Sequence, residues 1–234
     1  MAGTTVKITL DNNAGSFDAY LASPPKGRGP GLVVIQEIFG VNKVMRDLCD
    51  GFAAQGFFAI CPDLFWRQKP GVDITDQTDA EWQQAFALYK GFNVDSGIAD
   101  IAVTIEQLKP MKGVAERVGA VGYCLGGLLA YLTAARTRAD ACVGYYGVGI
   151  ENHLGEAKKI AKPLMLHIAE KDDFCKPDAQ AKIKAGLGGM KNVELHSYTG
   201  MQHAFAREGG KHFDRAAASF ANSRTNKFFK DNLT

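Results

Sequence analysis

The sequence predicts an α/β protein with a doubly wound, mostly parallel sheet that carries helices on both faces. Short apolar runs rich in β-branched residues alternate with longer segments of helical periodicity along most of the chain. Most of these runs are apolar at every position, which is typical of parallel strands because both of their faces are buried. No repeat, low-complexity tract or long linker interrupts the 234 residues, so a single domain over residues 1–234 is expected.

The predicted strands begin with a hairpin at the edge of the sheet. Residues 5–10 alternate apolar and polar side chains, and residues 17–22 supply the second arm of an antiparallel pair. The later strands are expected at residues 31–35, 57–60, 118–121, 141–146, 163–168 and 193–198. Residues 67–78 contain glycine, proline and several aspartates, and they predict an excursion above the sheet edge.

The helical segments lie between these strands, as right-handed crossover connections require. They are predicted at residues 42–55, 80–91, 94–109, 127–137, 177–187 and 214–231. The last helix is expected to pack an apolar stripe onto the sheet, formed by Phe213, Ala217, Phe220, Phe228 and Phe229. In a sheet of this kind, functional residues follow the carboxyl ends of the strands.

Composition and charge exclude several classes of protein. The chain is 46% hydrophobic and 22% charged, and Lys plus Arg exceed Asp plus Glu by only two. A net charge this close to zero does not predict a nucleic-acid or anionic-membrane partner. No apolar run approaches the ~18 residues that span a bilayer, and the first residues lack the features of a signal peptide. We therefore expect a cytoplasmic protein with a small-molecule substrate; a monomer is compatible with the sequence, which does not determine the oligomeric state.

The cysteines indicate neither a disulfide framework nor a metal site. The five are odd in number, widely spaced and free of CxxC pairs. Four of them are expected to be small buried residues, namely Cys49, Cys61, Cys142 and Cys175. No other cluster has metal-ligand spacing, so neither a metal nor an organic cofactor is expected.

Cys124 differs from the other cysteines because of its neighbours. It lies in the run Gly122-Tyr123-Cys124-Leu125-Gly126, between a buried strand and an apolar helix. Flanking glycines permit the tight, strained strand-to-helix turn that lifts a nucleophile above a sheet. The pattern predicts Cys124 as the nucleophile and places the N–H of Leu125 at a helix N-terminus, where it can stabilise an oxyanion.

A cysteine nucleophile needs a base, and an acid must orient that base. In this type of turn the acid and then the histidine follow later in the chain. His203 lies on the loop after the strand at 193–198, at the functional edge of the predicted sheet. The turn after the strand at 163–168 carries Asp172 and Asp173, and spacing alone does not choose between them.

The other histidines fit the role of the base less well. His167 lies inside an apolar strand and is expected to be a hydrogen-bonded core residue. His196 also lies within a strand, and His153 and His212 are expected at the solvent surface because their surroundings are polar.

Five segments together resemble one known family, the dienelactone hydrolases or carboxymethylenebutenolidases. The similarity runs in order from about residue 30 to the C-terminus, and the cysteine turn followed by YYGVG and HAFAR is highly specific in combination. The resemblance implies an α/β-hydrolase fold. The segments are Gln36–Asn42, Cys61–Phe65, Val121–Gly127, Val143–Gly149 and His203–Arg207.

The resemblance also implies roles for single residues. The family's triad aspartate is followed by one residue and then Phe, which matches Phe174 and selects Asp172. Glu37 matches a glutamate that helps convert the thiol to a thiolate when substrate binds. The N–H of Ile38 would join that of Leu125 in the oxyanion hole.

Two further residues are implied as contacts of the substrate. Arg207 matches a family arginine that holds the substrate carboxylate, and a guanidinium suits this because it binds a carboxylate bidentately. Tyr146 is a candidate for the pocket wall, with a core position as the alternative. The family's second carboxylate-binding arginine is missing here, since Trp82 stands at the matching position.

The sequence therefore predicts hydrolysis of a small ester, an enol-lactone of the dienelactone type, through a thioester on Cys124. His203 would move the proton, and Asp172 would hold the imidazole. One alternative keeps the fold and the triad but makes the protein a general carboxylesterase or thioesterase on neutral substrates. Another is a non-catalytic binding or thiol-sensing module on the same scaffold, because a fold alone does not determine function.

Overall fold

The computed structural model describes residues 3–10 and 15–234. Met1 and Ala2, which belong to the opening used for the targeting prediction, lie outside the described residues, as do residues 11–14. The strands are β1 (Thr4–Thr9), β2 (Ser16–Ala22), β3 (Gly29–Ile35), β4 (Phe58–Pro62), β5 (Val114–Tyr123), β6 (Cys142–Tyr145), β7 (Leu164–Ala169) and β8 (Val193–Tyr198). The α-helices are α1 (Lys43–Ala54), α2 (Asp79–Lys90), α3 (Val94–Leu108), α4 (Leu125–Arg136), α5 (Pro177–Leu187) and α6 (Arg215–Leu233).

The chain divides into two compact units, Met1–Gly119 and Ala120–Thr234. In the first unit the strand order is β1-β2-β4-β3-β5, with β1 and β4 antiparallel to β2 and with β3 parallel to β4. Strand β5 continues into the second unit, where the order is β5-β6-β7-β8 and every pairing is parallel. The predicted edge hairpin and mostly parallel sheet are confirmed, whereas the single domain stays a prediction.

In the first unit, hydrogen bonds to neighbouring segments hold the excursion that was expected at residues 67–78. Asp100, fully buried on α3, accepts hydrogen bonds from the Arg67 guanidinium and, at 3.0 Å, from the indole N–H of Trp66. The N–H of Gly71 donates to the Asp63 carboxylate at 2.7 Å, and burial raises the pKa of that carboxyl. The excursion ends where Thr78 begins α2 with a reciprocal capping box.

In the second unit, α4 is buried over Leu125–Ala134, which explains why its sequence is almost wholly apolar. It begins two residues before the predicted start, because the helix follows Cys124 directly. Strand β5 begins four residues before the predicted one, since its first residues are partly exposed and carry no apolar signal. Two short 3₁₀ helices, Ile150–Asn152 and Leu154–Lys159, were not predicted.

The apolar stripe of α6 differs from the predicted one. Phe228 and Phe229 are buried as expected, and burial of each contributes about 2–3 kcal/mol. Phe220 instead is 55% exposed, and the guanidinium of Arg224 lies 3.8 Å from the centre of its ring. The reason is helical phase: Phe220 lies on the side of the helix away from the buried face, which passes through Ala218, Ala221, Thr225, Phe228, Phe229 and Leu233.

Two further findings concern the whole of the described chain. Within residues 3–10 and 15–234, every helix is too short or too polar to cross a membrane. All five cysteines lie in this part, are buried and are free thiols, as predicted for Cys49, Cys61, Cys142 and Cys175.

Candidate active site

The turn between β5 and α4 holds Cys124 in an unusual backbone conformation. Its φ is 57° and its ψ is −115°, a combination that side-chain-bearing residues rarely adopt. A Cβ atom at Gly122 would collide with the carbonyl oxygen of Gly126, so the chain can turn this tightly only with glycine there. The N–H of Cys124 donates to the C=O of Tyr145 at 3.1 Å, which fixes the turn to β6.

Leu125 is the first residue of α4, so its N–H has no acceptor inside the helix. The positive end of the helix dipole adds to the attraction of this N–H for an anion. Because α4 is buried along most of its length, water competes little for the N–H. The position suits the oxyanion role expected of Leu125.

Asp172 and His203 form a buried hydrogen-bonded pair. The Nδ1 atom of His203 lies 2.8 Å from Oδ2 of Asp172. The second carboxylate oxygen, Oδ1, accepts the N–H groups of Phe174 at 2.8 Å and Cys175 at 3.1 Å. Asp173 lies in solvent and pairs with Lys176 at 3.2 Å. Of the two aspartates that spacing leaves open, only Asp172 contacts the histidine.

The other ring nitrogen of His203, Nε2, is also buried. Among the residues that the structure describes, none makes a hydrogen bond of normal geometry to this buried Nε2 atom. The pKa of His203 is nevertheless raised to about 10. Burial is the largest influence and lowers the pKa, but the charge and hydrogen bonding of Cys124 and the hydrogen bond to Asp172 together outweigh it. The arrangement favours a protonated His203 ring at neutral pH.

Two aromatic rings fix the orientation of the His203 imidazole. Tyr146 packs edge-on against it at 5.1 Å, and Phe174 does so at 4.8 Å between ring centres. Tyr146 is buried, and its φ of 37° is positive, which marks a second strained residue beside the site. The sequence predicts either a pocket wall or a core position for Tyr146; the structure shows a core position in contact with the His203 ring.

The segment after His203 forms a compact turn. Ala204 has a φ of 62°, and its C=O accepts the N–H of Arg207 at 3.0 Å. The side chain of Arg207 is buried, and a buried guanidinium keeps its charge, so an anionic group is favoured beside it.

The prediction that His153 and His212 lie at the solvent surface needs correction, because each is half-buried. His212 lies beneath the turn, where its Nδ1–H donates to the C=O of His203 at 3.3 Å. His153 begins a 3₁₀ helix, and its C=O accepts the Tyr131 hydroxyl at 3.0 Å. Their polar neighbours in sequence gave no sign of either contact.

Glu37 and Ile38 belong to the first unit and follow the carboxyl end of β3. Both are buried. The Gln36 side chain shapes their backbone, because its Oε1 accepts the N–H of Leu64 at 3.0 Å and its Nε2 donates to the C=O of Glu37 at 3.3 Å. Their parts in thiol activation and in the oxyanion hole stay predictions.

Trp82, also in the first unit, lies on α2 and is half-buried. Its indole N–H already donates to the C=O of Asp76 at 3.0 Å. Its ring packs edge-on against Phe39 and stacks on Phe86, at 5.1 and 5.4 Å between ring centres. The side chain therefore offers an apolar face where the resemblance would place an arginine.

In the described part of the chain, no group of three or more His, Cys, Asp or Glu side chains is placed to hold a metal ion.

Comparison with known proteins places these features in a family context. The model of the "Dienelactone hydrolase family" matches residues 17–233. A "Putative carboxymethylenebutenolidase" of Azospirillum brasilense is 53% identical over 230 residues, which cover 94% of this chain and 95% of the relative. "Carboxymethylenebutenolidase 1" of Cupriavidus pinatubonensis is 38% identical, with 96% and 95% covered. The crystal structure of a "Putative Dienelactone Hydrolase" from Klebsiella pneumoniae has a TM-score of 0.83 at 24% identity, covering 98% of this chain and 99% of that one.

Proposed function

Because this chain belongs to the dienelactone hydrolase family, we propose that it opens an enol-lactone of the dienelactone type through a Cys124–His203–Asp172 triad. Membership of the family makes the protein a hydrolase of ester bonds, with the α/β-hydrolase fold. The observation that carries the triad is the pairing of a strained cysteine turn with a buried His203–Asp172 hydrogen bond.

The proposed reaction begins with attack of the Cys124 thiolate on the lactone carbonyl carbon. The carbonyl oxygen takes up the negative charge, which the N–H groups of Leu125 and Ile38 stabilise. When the tetrahedral intermediate collapses, the ring C–O bond breaks and the protonated His203 supplies a proton to the departing oxygen. The product of this half is a thioester on Cys124 that still carries the opened chain.

Water completes the proposed cycle. Neutral His203 takes a proton from a water molecule, whose oxygen attacks the thioester carbonyl. The C–S bond then breaks, and the carboxylic acid leaves while the Cys124 thiolate and the His203 imidazolium are restored. Asp172 keeps the proton on Nδ1 of His203 throughout, so that Nε2 exchanges protons with the reactants.

The remaining predicted residues act on the substrate or on the thiol. Arg207 binds a substrate carboxylate, and Glu37 takes part in converting the thiol to the thiolate. Tyr146 contributes through its contact with the His203 ring rather than as an open pocket wall. No cofactor is part of the proposed reaction.

A second candidate is a general carboxylesterase or thioesterase on neutral substrates. One observation favours it: the Trp82 N–H is already bonded to Asp76, and the ring joins an aromatic cluster with Phe39 and Phe86. Such a cluster attracts apolar groups rather than carboxylates. The third alternative, a non-catalytic thiol-sensing module, predicts no turnover at all.

We also propose a cytoplasmic location and a small-molecule substrate, without a nucleic-acid or membrane partner. Five free, buried thiols are compatible with a reducing compartment. The near-neutral net charge of +2 gives no support for binding to polyanions. The expectation of a monomer stays open to a direct measurement of mass in solution.

One experiment tests the proposed function against both alternatives. The purified protein is assayed on a carboxylate-bearing enol-lactone and on a neutral aryl ester of similar size, before and after iodoacetamide treatment. We expect a higher kcat/KM on the lactone, loss of turnover after alkylation, and the label on the Cys124 peptide. Preference for the neutral ester would favour the carboxylesterase, and absence of turnover on both substrates would favour the binding module.

A further inference from the structure

A chain of polar side chains crosses the interior of the second unit below the candidate active site. At its centre is His167 of β7, a residue that is only 1% exposed to solvent. Its Nδ1 lies 2.7 Å from the Tyr198 hydroxyl, and its Nε2 lies 2.9 Å from Oγ1 of Thr225. The prediction of a hydrogen-bonded core histidine is confirmed.

The chain of hydrogen-bonded side chains extends on both sides of His167. Arg224 donates to the Tyr198 hydroxyl at 3.2 Å. On the other side, Oγ1 of Thr225 lies 2.6 Å from the Tyr145 hydroxyl, which itself donates to Oδ1 of Asn222 at 2.9 Å. Together these residues link β6, β7, β8 and α6.

One assignment of protons satisfies every group in this chain. Tyr145 donates its proton to Asn222, so its oxygen accepts from Thr225. Thr225 has then used its only proton, and its oxygen accepts from Nε2–H of His167. A neutral imidazole has one donor, so Nδ1 accepts from the Tyr198 hydroxyl, whose oxygen in turn accepts from Arg224.

The surroundings keep His167 neutral, as this assignment requires. Burial is the main reason that its pKa lies well below the ordinary value, and the charges of His196 and Arg224 act in the same direction. The His196 ring stacks on His167 at 5.8 Å, and the Glu194 carboxylate bonds to His196, not to His167, at 3.4 Å. A protonated His167 would have to donate from Nδ1, which would leave the Tyr198 proton without its acceptor.

The chain of hydrogen-bonded side chains also reaches the backbone segments that lead to Asp172 and His203. Tyr198 ends β8, and its C=O accepts the N–H groups of Glu170 and Met201, each at 3.2 Å. Glu170 opens the turn that leads to Asp172, and Met201 lies on the loop that leads to His203. The Tyr198 ring also packs against Phe205 at 4.8 Å.

A second path leads from His167 through its own backbone. The C=O of His167 accepts the N–H of Tyr146 at 2.8 Å, and the Tyr146 ring packs against the imidazole of His203. Tyr145, the neighbouring residue, ends β6, and its ring packs at a tilt against the His167 ring with 4.2 Å between ring centres. An apolar side chain at position 167 would fill the same space but would not fix the positions of the neighbouring side chains. Hydrogen bonds are directional, whereas apolar packing constrains direction much less.

We propose that His167 is a positioning residue, which donates from Nε2 and accepts at Nδ1 so that the ends of β6 and β8 hold the Asp172–His203 pair in its reactive geometry. The inference rests on the proposed function, in which that pair serves Cys124. It assigns to a buried histidine outside the triad an effect on kcat.

The test compares His167→Phe with His167→Gln. Phenylalanine keeps a flat ring but removes both hydrogen bonds, whereas the glutamine amide can still accept from Tyr198 and donate to Thr225. Misplacement of reacting groups by about 1 Å can cost up to a hundredfold in rate. We expect kcat of His167→Phe to fall by about tenfold to a hundredfold with KM nearly unchanged, and His167→Gln to recover most of the loss. His196→Gln, a change in the stacked neighbour outside the chain, should keep the wild-type kcat.

A spectroscopic readout separates positioning from general stability. In protein with ¹⁵N-labelled histidine, the Nδ1–H signal of His203 reports its hydrogen bond to Asp172. We expect this signal to shift or broaden in His167→Phe and to stay in place in His167→Gln and His196→Gln, at a temperature well below the measured Tm of each. If His167→Phe does not fold, Tyr198→Phe removes the hydrogen bonds of the hydroxyl to His167 and Arg224 but keeps the bond between His167 and Thr225, and it should give a smaller change of the same kind.

Wild-type kcat and an unchanged His203 signal in the folded His167→Phe or Tyr198→Phe protein would overturn the inference. Equal losses in His167→Phe and His167→Gln would also overturn it, because shape rather than hydrogen bonding would then matter. Retention of turnover by Cys124→Ala would refute the proposed triad instead, and the His203 signal would still decide the role of His167.

Discussion

Oδ2 of Asp172 lies 2.8 Å from Nδ1 of His203, and both residues are more than nine-tenths buried. The other carboxylate oxygen is held by the N–H groups of Phe174 and Cys175. Rotation of the carboxylate would therefore break three hydrogen bonds at once. The imidazole is kept with its proton on Nδ1, which leaves Nε2 as the nitrogen that exchanges protons in the proposed reaction.

Replacement of the nucleophile tests the centre of the proposal. Cys124→Ala should lower kcat by about a millionfold, as removal of a nucleophile does in other hydrolases. Cys142→Ala is the matched control, because this thiol is buried and its pKa is raised far above the ordinary value by burial. The control should keep the wild-type kcat and lose only stability. Normal turnover in Cys124→Ala would show that the assignment of the nucleophile is wrong.

The two neighbouring aspartates provide a matched pair. Asp172→Asn should reduce kcat by about ten thousandfold, the loss seen when the triad aspartate of a trypsin-like protease is changed, because the wrong imidazole tautomer then prevails. Asp173→Asn removes only an exposed pairing with Lys176 and should leave kcat within about twofold of wild type. Steady-state kinetics of both variants decide the matter, and equal losses would contradict the role of Asp172.

The titration of His203 follows from its neighbours. Its pKa of about 10 means that the ring stays protonated through neutral pH and loses its proton only as the pH rises past that value. In Cys124→Ala the influences of the sulfur that raise the pKa are gone while burial remains, so the pKa of His203 should fall. NMR titration of the labelled histidine in both proteins measures the change. A pKa that is equal in the two proteins would mean that the sulfur does not act on the ring.

Trp82→Arg tests substrate preference. Trp82 cannot present its N–H to a substrate while that group is bonded to Asp76, whereas arginine offers a fork of donors to a carboxylate. A hydrogen bond to a charged group is worth about 1.5–3 kcal/mol, which is roughly ten- to a hundredfold in affinity. The variant should gain kcat/KM on carboxylate-bearing lactones and lose it on apolar esters. Phe86→Leu, which removes the stacked ring without adding charge, is the control, and an unchanged ratio of the two activities would show that Trp82 does not contact the substrate.

Local patterns predicted the parts of this protein that depend on neighbours in sequence. The turn at Cys124 was predictable because a buried strand, two glycines and an apolar helix follow one another directly, and each constrains the next. The order of aspartate and histidine after it limited the search to the ends of two strands. The resemblance then chose Asp172 from two candidates that differ by one position.

The features that the sequence did not reveal depend on residues far apart in the chain. Tyr145, His167 and Thr225 are separated by tens of residues, and nothing in their neighbourhoods indicates that their polar atoms meet. His212 likewise lies in a polar segment but contacts the C=O of His203. The prediction for Phe220 was wrong for a different reason: that this apolar residue lies on the side of α6 away from the buried stripe becomes evident only once the phase of the helix is known.

The burial of α4 has a consequence for local unfolding. Amide protons of a helix that is buried along its length exchange with solvent only in large opening events, whereas loops open at a much smaller cost in free energy. Cys124 stands at the end of that helix, while His203 lies on a loop between β8 and α6. Small opening fluctuations should therefore displace His203 before they disturb Cys124. In the proposed triad, Cys124 is without its base whenever the loop opens, so the frequency of that opening sets how often the cysteine stands alone.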